Sequence, residues 1–370
     1  MGDPVGGLRE VTFVVDLPDG HEAMVHVNGI TDAHREDLAP ALFERVPGAA
    51  VGVLSYLLPD DLIASYRLAV APELPRNAGT TREGWLRIHA LGRPDPRNPR
   101  GLPNPLGDRS SVLVMPGARL HPVWPDSGAA RPVSRGAEPP PRVRADAVPV
   151  DGGPSLTVLR PSGPTSGRTL VLFDGERWAG LGLRQALGRH PAPPAATVLV
   201  PSGSQERRSG LLPHPEPLLR HLEYDVLPAL AAVVGAPADP DRTIVAGQSY
   251  GGLAAASVVC LRPDLASTAV VQSGSFHFRA GEAHARPPAG QVGDLVERLH
   301  AASVSGRFVV QAGTEESGML DSATRFAEAA RAGGADVTLR AYTGGHDYAW
   351  WRTGLFDALD LLAASDAVVP

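Results

Sequence analysis

Thr243-Ile-Val-Ala-Gly-Gln-Ser249-Tyr-Gly-Gly-Leu-Ala-Ala-Ala256 is the stretch whose reading decides the fold. Thr243–Ala246 reads as a short strand, and the residues from Gly252 to Ser257 read as a helix. Between them lies Gly247-Gln-Ser249-Tyr-Gly251, a Gly-x-Ser-x-Gly pattern. A strand that turns sharply into a helix with serine at the apex is a nucleophile elbow: the central residue is strained, and the glycines make room where backbones crowd. The turn would present the Ser249 hydroxyl at the carboxyl edge of a sheet, over a helix N-terminus.

Working outward, the rhythm on both sides of the elbow is strand then helix. Short apolar runs recur at Leu156–Arg160, Thr169–Phe173, Thr197–Val200, Ala269–Gln272 and Phe308–Gln311, with a last strand expected at Val337–Tyr342. Leu218–Val234 and Asp321–Ala332 have helical spacing, and Gly334 follows the second as a stop. Buried strands alternating with helices predict an α/β domain on a mostly parallel sheet, residues 151–370. The first part of the chain is different. Val11–Asp16, His26–Asn28, Gly52–Leu58, Ser65–Val70 and Ser111–Met115 are short β-rich runs divided by Pro, Gly and Asp, which predicts an all-β, Ig-like sandwich over residues 8–118. Residues 119–150, with Pro139-Pro-Pro141 and Arg131, Arg135, Arg142 and Arg144, read as a proline- and arginine-rich linker.

Composition removes several alternatives. The 370 residues carry a formal net charge of −6, which gives no nucleic-acid footprint. There is no lysine, so all 34 basic residues are arginine. That excludes a P-loop lysine, a Schiff-base lysine, a kinase ATP lysine and a Ser–Lys dyad, since arginine cannot supply the amine. Cys260 is the single cysteine, so no internal disulfide and no multi-cysteine metal site is expected. No apolar stretch approaches the length of a membrane helix, and Met1–Val11 has neither part of a signal peptide, so the expectation is a cytoplasmic protein without metal or cofactor.

A serine hydroxyl needs a base to take its proton. In this fold the base comes last in the chain order Ser, acid, His. His346, in Tyr342-Thr-Gly-Gly-His346-Asp, follows the expected final strand and is the candidate; His277, in Ser275-Phe-His-Phe278, is the second choice. The acid should follow Phe308–Gln311, where Glu315 and Glu316 stand side by side, and a Ser–His dyad without a third member stays open. Oxyanion donors are expected from the backbone N–H of Tyr250, just after the serine, and from Glu176 in Phe173-Asp-Gly-Glu-Arg-Trp178. One such donor is worth about 3 kcal/mol of transition-state stabilisation.

These segments together resemble the enterochelin (enterobactin) esterase family of the α/β-hydrolase superfamily, within the wider group that includes the antigen 85 mycolyltransferases. The resemblance rests on Leu172–Ala179, Val245–Ala255, Gln272–Phe276, Gln311–Glu316 and Gly344–Asp347 with Trp351-Arg352, and in the first half on Val53–Pro59, Ser65–Arg67 and Pro94–Pro99. It implies hydrolysis of the esters of a catecholate siderophore, or of its Fe(III) complex, with iron released in the cytoplasm. It implies Ser249 as nucleophile, His346 as base, Glu316 as the acidic position, and Tyr250 and Glu176 as oxyanion donors. It also implies that Arg177, Trp178, Arg208, His277 and Trp351 border the substrate. Two segments depart from the family pattern. Arg208 is followed by Leu211 and Pro215 where the family has glutamate and asparagine, and His277 stands where it has tryptophan. An acyltransferase or an esterase for another peptide or depsipeptide ester, and a non-catalytic siderophore binder, are the competing readings. A small-molecule partner, a monomer or homodimer, and no nucleic-acid or membrane partner complete the expectation.

Overall fold

A computed structural model describes residues 7–104, 109–124, 142–150, 153–282 and 292–366. The chain divides into two compact units. The first comprises Met1–Pro132, Gly313–Ser317 and Tyr342–Thr353; the second comprises Val133–Ala312, Gly318–Ala341 and Gly354–Pro370.

Among the described residues the first unit contains seven strands: β1 (Leu8–Asp16), β2 (Glu22–Val27), β3 (Glu44–Arg45), β4 (Val51–Pro59), β5 (Ile63–Ala71), β6 (Gly101–Pro103) and β7 (Arg109–Val114). They form a three-stranded sheet in the order β1-β4-β3 and a four-stranded sheet in the order β2-β5-β7-β6, antiparallel throughout. Alternate residues of β1, namely Val11, Phe13 and Val15, point into one core with Val25, Val27, Tyr66, Leu68 and Leu113 of the other sheet, the period-two burial that makes a sandwich. It is decorated by a single α-helical turn, α1 (Ile30–Ala33), and by the ten-residue α2 (Arg82–Leu91). The Thr81 side chain caps α2 by accepting from Gly84 N–H, and Trp85 and Ile88 bury its inner face. An all-β reading of this region omits α2.

The second unit is the α/β half. Its strands are β8 (Val143–Val148), β9 (Leu156–Pro161), β10 (Thr169–Phe173), β11 (Ala196–Val200), β12 (Thr243–Gln248), β13 (Thr268–Gln272), β14 (Arg307–Gly313) and β15 (Asp336–Tyr342). The sheet order is β15-β14-β13-β12-β10-β11-β9-β8. The pairs from β11 to β14 are parallel, while β9 and β8 add antiparallel at one edge. Helices α3 (Gly175–Gly180), α4 (Leu183–Arg189), α5 (Gln205–Leu211), α6 (Pro215–His221), α7 (Leu227–Val234), α8 (Tyr250–Leu261), α9 (Asp294–Leu299), α10 (Met319–Ala332) and α11 (Tyr348–Asp366) follow the strands. Leu218–Val234, read from its helical spacing, is helical throughout, with α6 and α7 joined by a π turn at Leu222–Val226. After α10 the backbone at Gly334 takes φ +107, the conformation that glycine at a helix end supplies.

The linker expectation needs one correction. Val143–Val148, counted with the linker, is strand β8, in register with β9 from Val143↔Pro161 to Val148↔Leu156. Its alternation, with Val143 buried and Arg144 exposed, is that of an edge strand. Most of the proline-rich run, residues 125–141, lies outside the described residues.

Candidate active site

The chain reverses direction in the sheet at one point. From β10 it steps outward to β11, then returns to β12 on the other side of β10. Crevices at the carboxyl ends of strands flanking such a switch are where open α/β sheets bind ligands. The residues after β12 and after β10 are the two turns singled out in the sequence.

After β12, Ser249 adopts φ 58 and ψ −118, one of three positive-φ non-glycine residues among those described. It stands at the N-cap position of α8, with no side-chain cap bond, and is half-buried. A Cβ on Gly247 would collide with the backbone of Gly251, and one on Gly252 would lie 3.0 Å from Gln272 O, so the glycines are demanded by close approach. Backbone bonds fix the apex from both sides: Ser249 N–H donates to Gln272 O at 3.0 Å, and Ser275 N–H donates to Ser249 O at 3.1 Å. The Ser249 hydroxyl lies 3.4 Å from that of Ser275. His277, half-buried, sits two residues beyond Ser275.

After β10, Asp174 takes φ 54 and leads into α3. Gly175 leaves no room for a side chain, since a Cβ there would lie 2.7 Å from Leu199 C and Val200 N. A Cβ on Gly251 would lie 3.4 Å from Asp174 Oδ2, so this turn abuts the start of α8. The N–H groups of Glu176 and Tyr250 are both in first turns of helices, where no preceding helical carbonyl can accept them. The Glu176 carboxylate meanwhile accepts from Ser202 N–H at 3.0 Å.

Two residues expected to border the substrate do other work here. Trp178 is 0% exposed, and its indole N–H donates to Gln248 Oε1 at 2.9 Å. A side chain with no accessible surface cannot meet a ligand. Arg208 makes a two-pronged pair with Asp174, 2.7 Å for each N–H···O, and lies 5.3 Å over the Tyr250 ring. Its guanidinium braces the turn that carries Glu176. Arg177 on α3 remains half-buried. Beneath the elbow lies a row of glutamines that the sequence reading missed. Gln248, Gln272 and Gln311 are in register across β12, β13 and β14. Gln248 donates to Gln272 at 2.9 Å, Gln272 to Gln311 at 2.7 Å, and Gln311 to Gly354 O at 2.7 Å. A glutamine at or near the end of each of three apolar strands is the signal that could have revealed it.

In the first unit, His346 Nδ1 lies 2.7 Å from Glu316 Oε2. The glutamate side chain is 1% exposed while the imidazole is 43% exposed, so a buried carboxylate orients a ring that faces solvent. The other oxygen, Oε1, accepts Gly313 N–H at 2.9 Å. Glu315 instead accepts from the Thr314 hydroxyl at 3.1 Å. With Nδ1–H given to the carboxylate, Nε2 is left as the basic nitrogen. Trp351 is buried and packs edge-on to His346 at 4.8 Å between ring centres. Asp347, next in sequence, caps α11 by accepting Ala349 N–H at 2.9 Å and also accepts Ser65 N–H from β5. Burial pushes its acidity toward weaker ionisation, against those hydrogen bonds.

Comparison with known proteins places this geometry. Residues 10–124 match the family "Enterochelin esterase, N-terminal", and residues 156–362 match "Putative esterase". The chain belongs to the enterochelin esterase family. This esterase is 28% identical to the iron(III) enterobactin esterase of Dickeya dadantii, over 97% of this chain and 89% of that one. The ferric enterobactin esterase of Salmonella typhimurium superposes with a TM-score of 0.78 at 26% identity, covering 96% of this chain and 94% of that one. The Shigella flexneri enterobactin esterase, solved in the presence of enterobactin, gives a TM-score of 0.75 at 25% identity, with coverage of 97% and 94%. The α/β-hydrolase fold preceded by a β domain and the ester-hydrolase class follow from that membership.

His26, Asp32 and His89 in the esterase's first unit bring ligand-type atoms within 4.8 Å of one another. His26 Nε2 bonds to Asp32 at 3.2 Å, Asp32 Oδ2 accepts Gly29 N–H at 2.8 Å, and burial together with the charge of His26 pushes His89 down to about 4. Among the described residues, no helix is long and apolar enough to cross a membrane.

Proposed function

We propose that this esterase opens the ester bonds of an enterobactin-type catecholate siderophore, free or as its Fe(III) complex, and acts in the cytoplasm. The observation that carries the reading is the joint match of both halves to the enterochelin esterase family, together with an intact serine elbow and a histidine already oriented by a buried glutamate.

In this reading Ser249 Oγ attacks the ester carbonyl as His346 Nε2 takes its proton. Negative charge gathers on the carbonyl oxygen, and the N–H groups of Tyr250 and Glu176 receive it. His346 then gives the proton to the departing serine alkoxide of the siderophore, leaving an acyl-enzyme on Ser249. A water molecule, deprotonated by the same imidazole, releases the dihydroxybenzoyl-serine carboxylic acid end and restores the hydroxyl. Glu316 holds the tautomer and stabilises the imidazolium. Support for the assignment comes from chain order: nucleophile, acid and base follow β12, β14 and β15 in turn.

Mass spectrometry of products from an iron-free and iron-loaded cyclic tri-ester siderophore panel tests this, with Ser249→Ala as control. Linear trimer, dimer and monomer are expected from the native chain and none from the variant. Equal turnover by Ser249→Ala would remove the serine mechanism. Products captured on an added alcohol in place of water would make the esterase an acyltransferase.

A further inference from the structure

The loop that carries His346 rests on the N-terminal sandwich, and the contact is made of backbone. Asn28 and Gly29 form the turn between β2 and α1. A Cβ on Gly29 would lie 2.8 Å from Gly345 Cα and 2.9 Å from Glu315 O; a Cβ on Gly345 would lie 2.7 Å from Gly29 and would collide with Asn28 Oδ1. Two glycines thus face each other with no space for a side chain on either. The Asn28 amide donates to His346 O at 3.4 Å. Gly29 itself takes φ +84, and its N–H is held by Asp32, which His26 holds in turn. At a second point, the start of β5 grips the same loop. Ile63 N–H donates to Thr343 O at 3.0 Å, Ser65 N–H donates to Asp347, and a Cβ on Gly344 would lie 2.9 Å from Ile63 O. All these residues lie in the first unit, with Glu316 and Trp351.

We infer that Asn28 and Gly29 are positioning residues for His346, so that the N-terminal sandwich is part of the apparatus that aims the general base. This inference rests on the proposed role of His346. Trp350 indole N–H donates to Gly345 O at 2.6 Å and Glu315 N–H to Gly344 O at 3.1 Å, so the loop is held at both glycines, while the Glu316 bond fixes the ring itself. The turn at Asn28–Gly29 fixes the backbone from which the ring departs. Displacing that backbone by about 1 Å would cost on the order of 100-fold in rate, because proton transfer depends on alignment more than on affinity.

The test compares Gly29→Ala and Asn28→Ala with Gly20→Ala. Gly20 also has positive φ, +71, but a Cβ there would meet nothing within 4 Å, so it carries the backbone strain without the contact. Each full-length variant is checked for folding by circular dichroism. Then kcat and KM on a p-nitrophenyl ester are measured, with the downfield proton NMR signal of His346 Nδ1–H. Gly29→Ala is expected to lower kcat about 100-fold with KM within about twofold, and to shift or broaden that signal. Asn28→Ala should do the same by about fivefold, and Gly20→Ala should do neither. Asn28→Ala decides the matter if Gly29→Ala does not fold. Unchanged kcat and an unmoved signal in the folded variants, while Ser249→Ala and His346→Ala abolish turnover, would overturn the positioning role and leave the proposed function standing. Full turnover by Ser249→Ala would instead sink the function, and the NMR signal would still report on the seating of the ring.

Discussion

Replacing Arg208 by alanine separates two roles that the residue has been given, brace and substrate contact. Its guanidinium makes two bonds of 2.7 Å to Asp174, and Asp174 is 0% exposed. Hydrogen bonds to charged groups contribute about 1.5–3 kcal/mol each, so the pair is worth about 3–6 kcal/mol. The arginine side chain is 14% exposed, so water can enter the vacated space, and the Ser202 hydroxyl keeps its 2.5 Å bond to Asp174. Both facts select the lower end, about 3 kcal/mol. With a urea slope of about 3 kcal/mol per molar, the unfolding midpoint should fall by about 1 M. Because Asp174 leads into the first turn of α3, loosening it should lower kcat while KM changes little. Arg208→Lys keeps the charge but not the fork and should recover only part of either quantity. A midpoint within about 0.2 M of the native value, joined to a tenfold rise in KM, would refute the reasoning and return Arg208 to the substrate.

Glu316→Gln should cost about 10³–10⁴-fold in kcat: Gly313 N–H claims Oε1, which leaves the new NH₂ facing His346 Nδ1 and forces the proton onto Nε2. A loss below tenfold would show that the acid is elsewhere. His89→Leu should flatten the acid side of the stability curve. In the native chain His89 is pushed down to about 4, first by burial and then by His26, so between about pH 6.5 and 4 the unfolded chain binds a proton that the folded one does not. Stability therefore falls as pH drops through that window, by at most about 3 kcal/mol. A variant whose urea midpoint keeps the native slope from pH 6.5 to 4 contradicts this.

The parts of the esterase legible in its sequence are those where chemistry dictates local spacing. The elbow is one, because no other residue substitutes for Gly247 where Gly251 presses against it. The separation of Glu316 from Glu315 is not one, since both stand in the same loop and only the fold decides that the first is buried against His346. At Trp178 the resemblance and the fold part: its partner, Gln248, lies 70 residues away, and full burial leaves the indole no surface for a ligand. Strand β8 was hidden by its neighbourhood, a two-residue alternation at the end of a proline-rich run. The division of labour around Thr343–Asp347 was beyond reach, because no pattern in Asn28-Gly29 announces a partner more than 300 residues downstream.

The glutamine row has a polarity, and its two ends set it. An indole nitrogen can only give a proton and a peptide carbonyl can only receive one, so with Trp178 at one end and Gly354 O at the other, every amide between them must face the same way. Turning any single amide around would oppose like atoms on both sides, so the row can invert only in concert, and the fixed ends forbid even that. Gln248, immediately before Ser249, is thereby given a compass bearing from across three strands. An apolar side chain at position 178 would leave Gln248 Oε1 without its donor and the Gly354 carbonyl alone to hold the direction of the row.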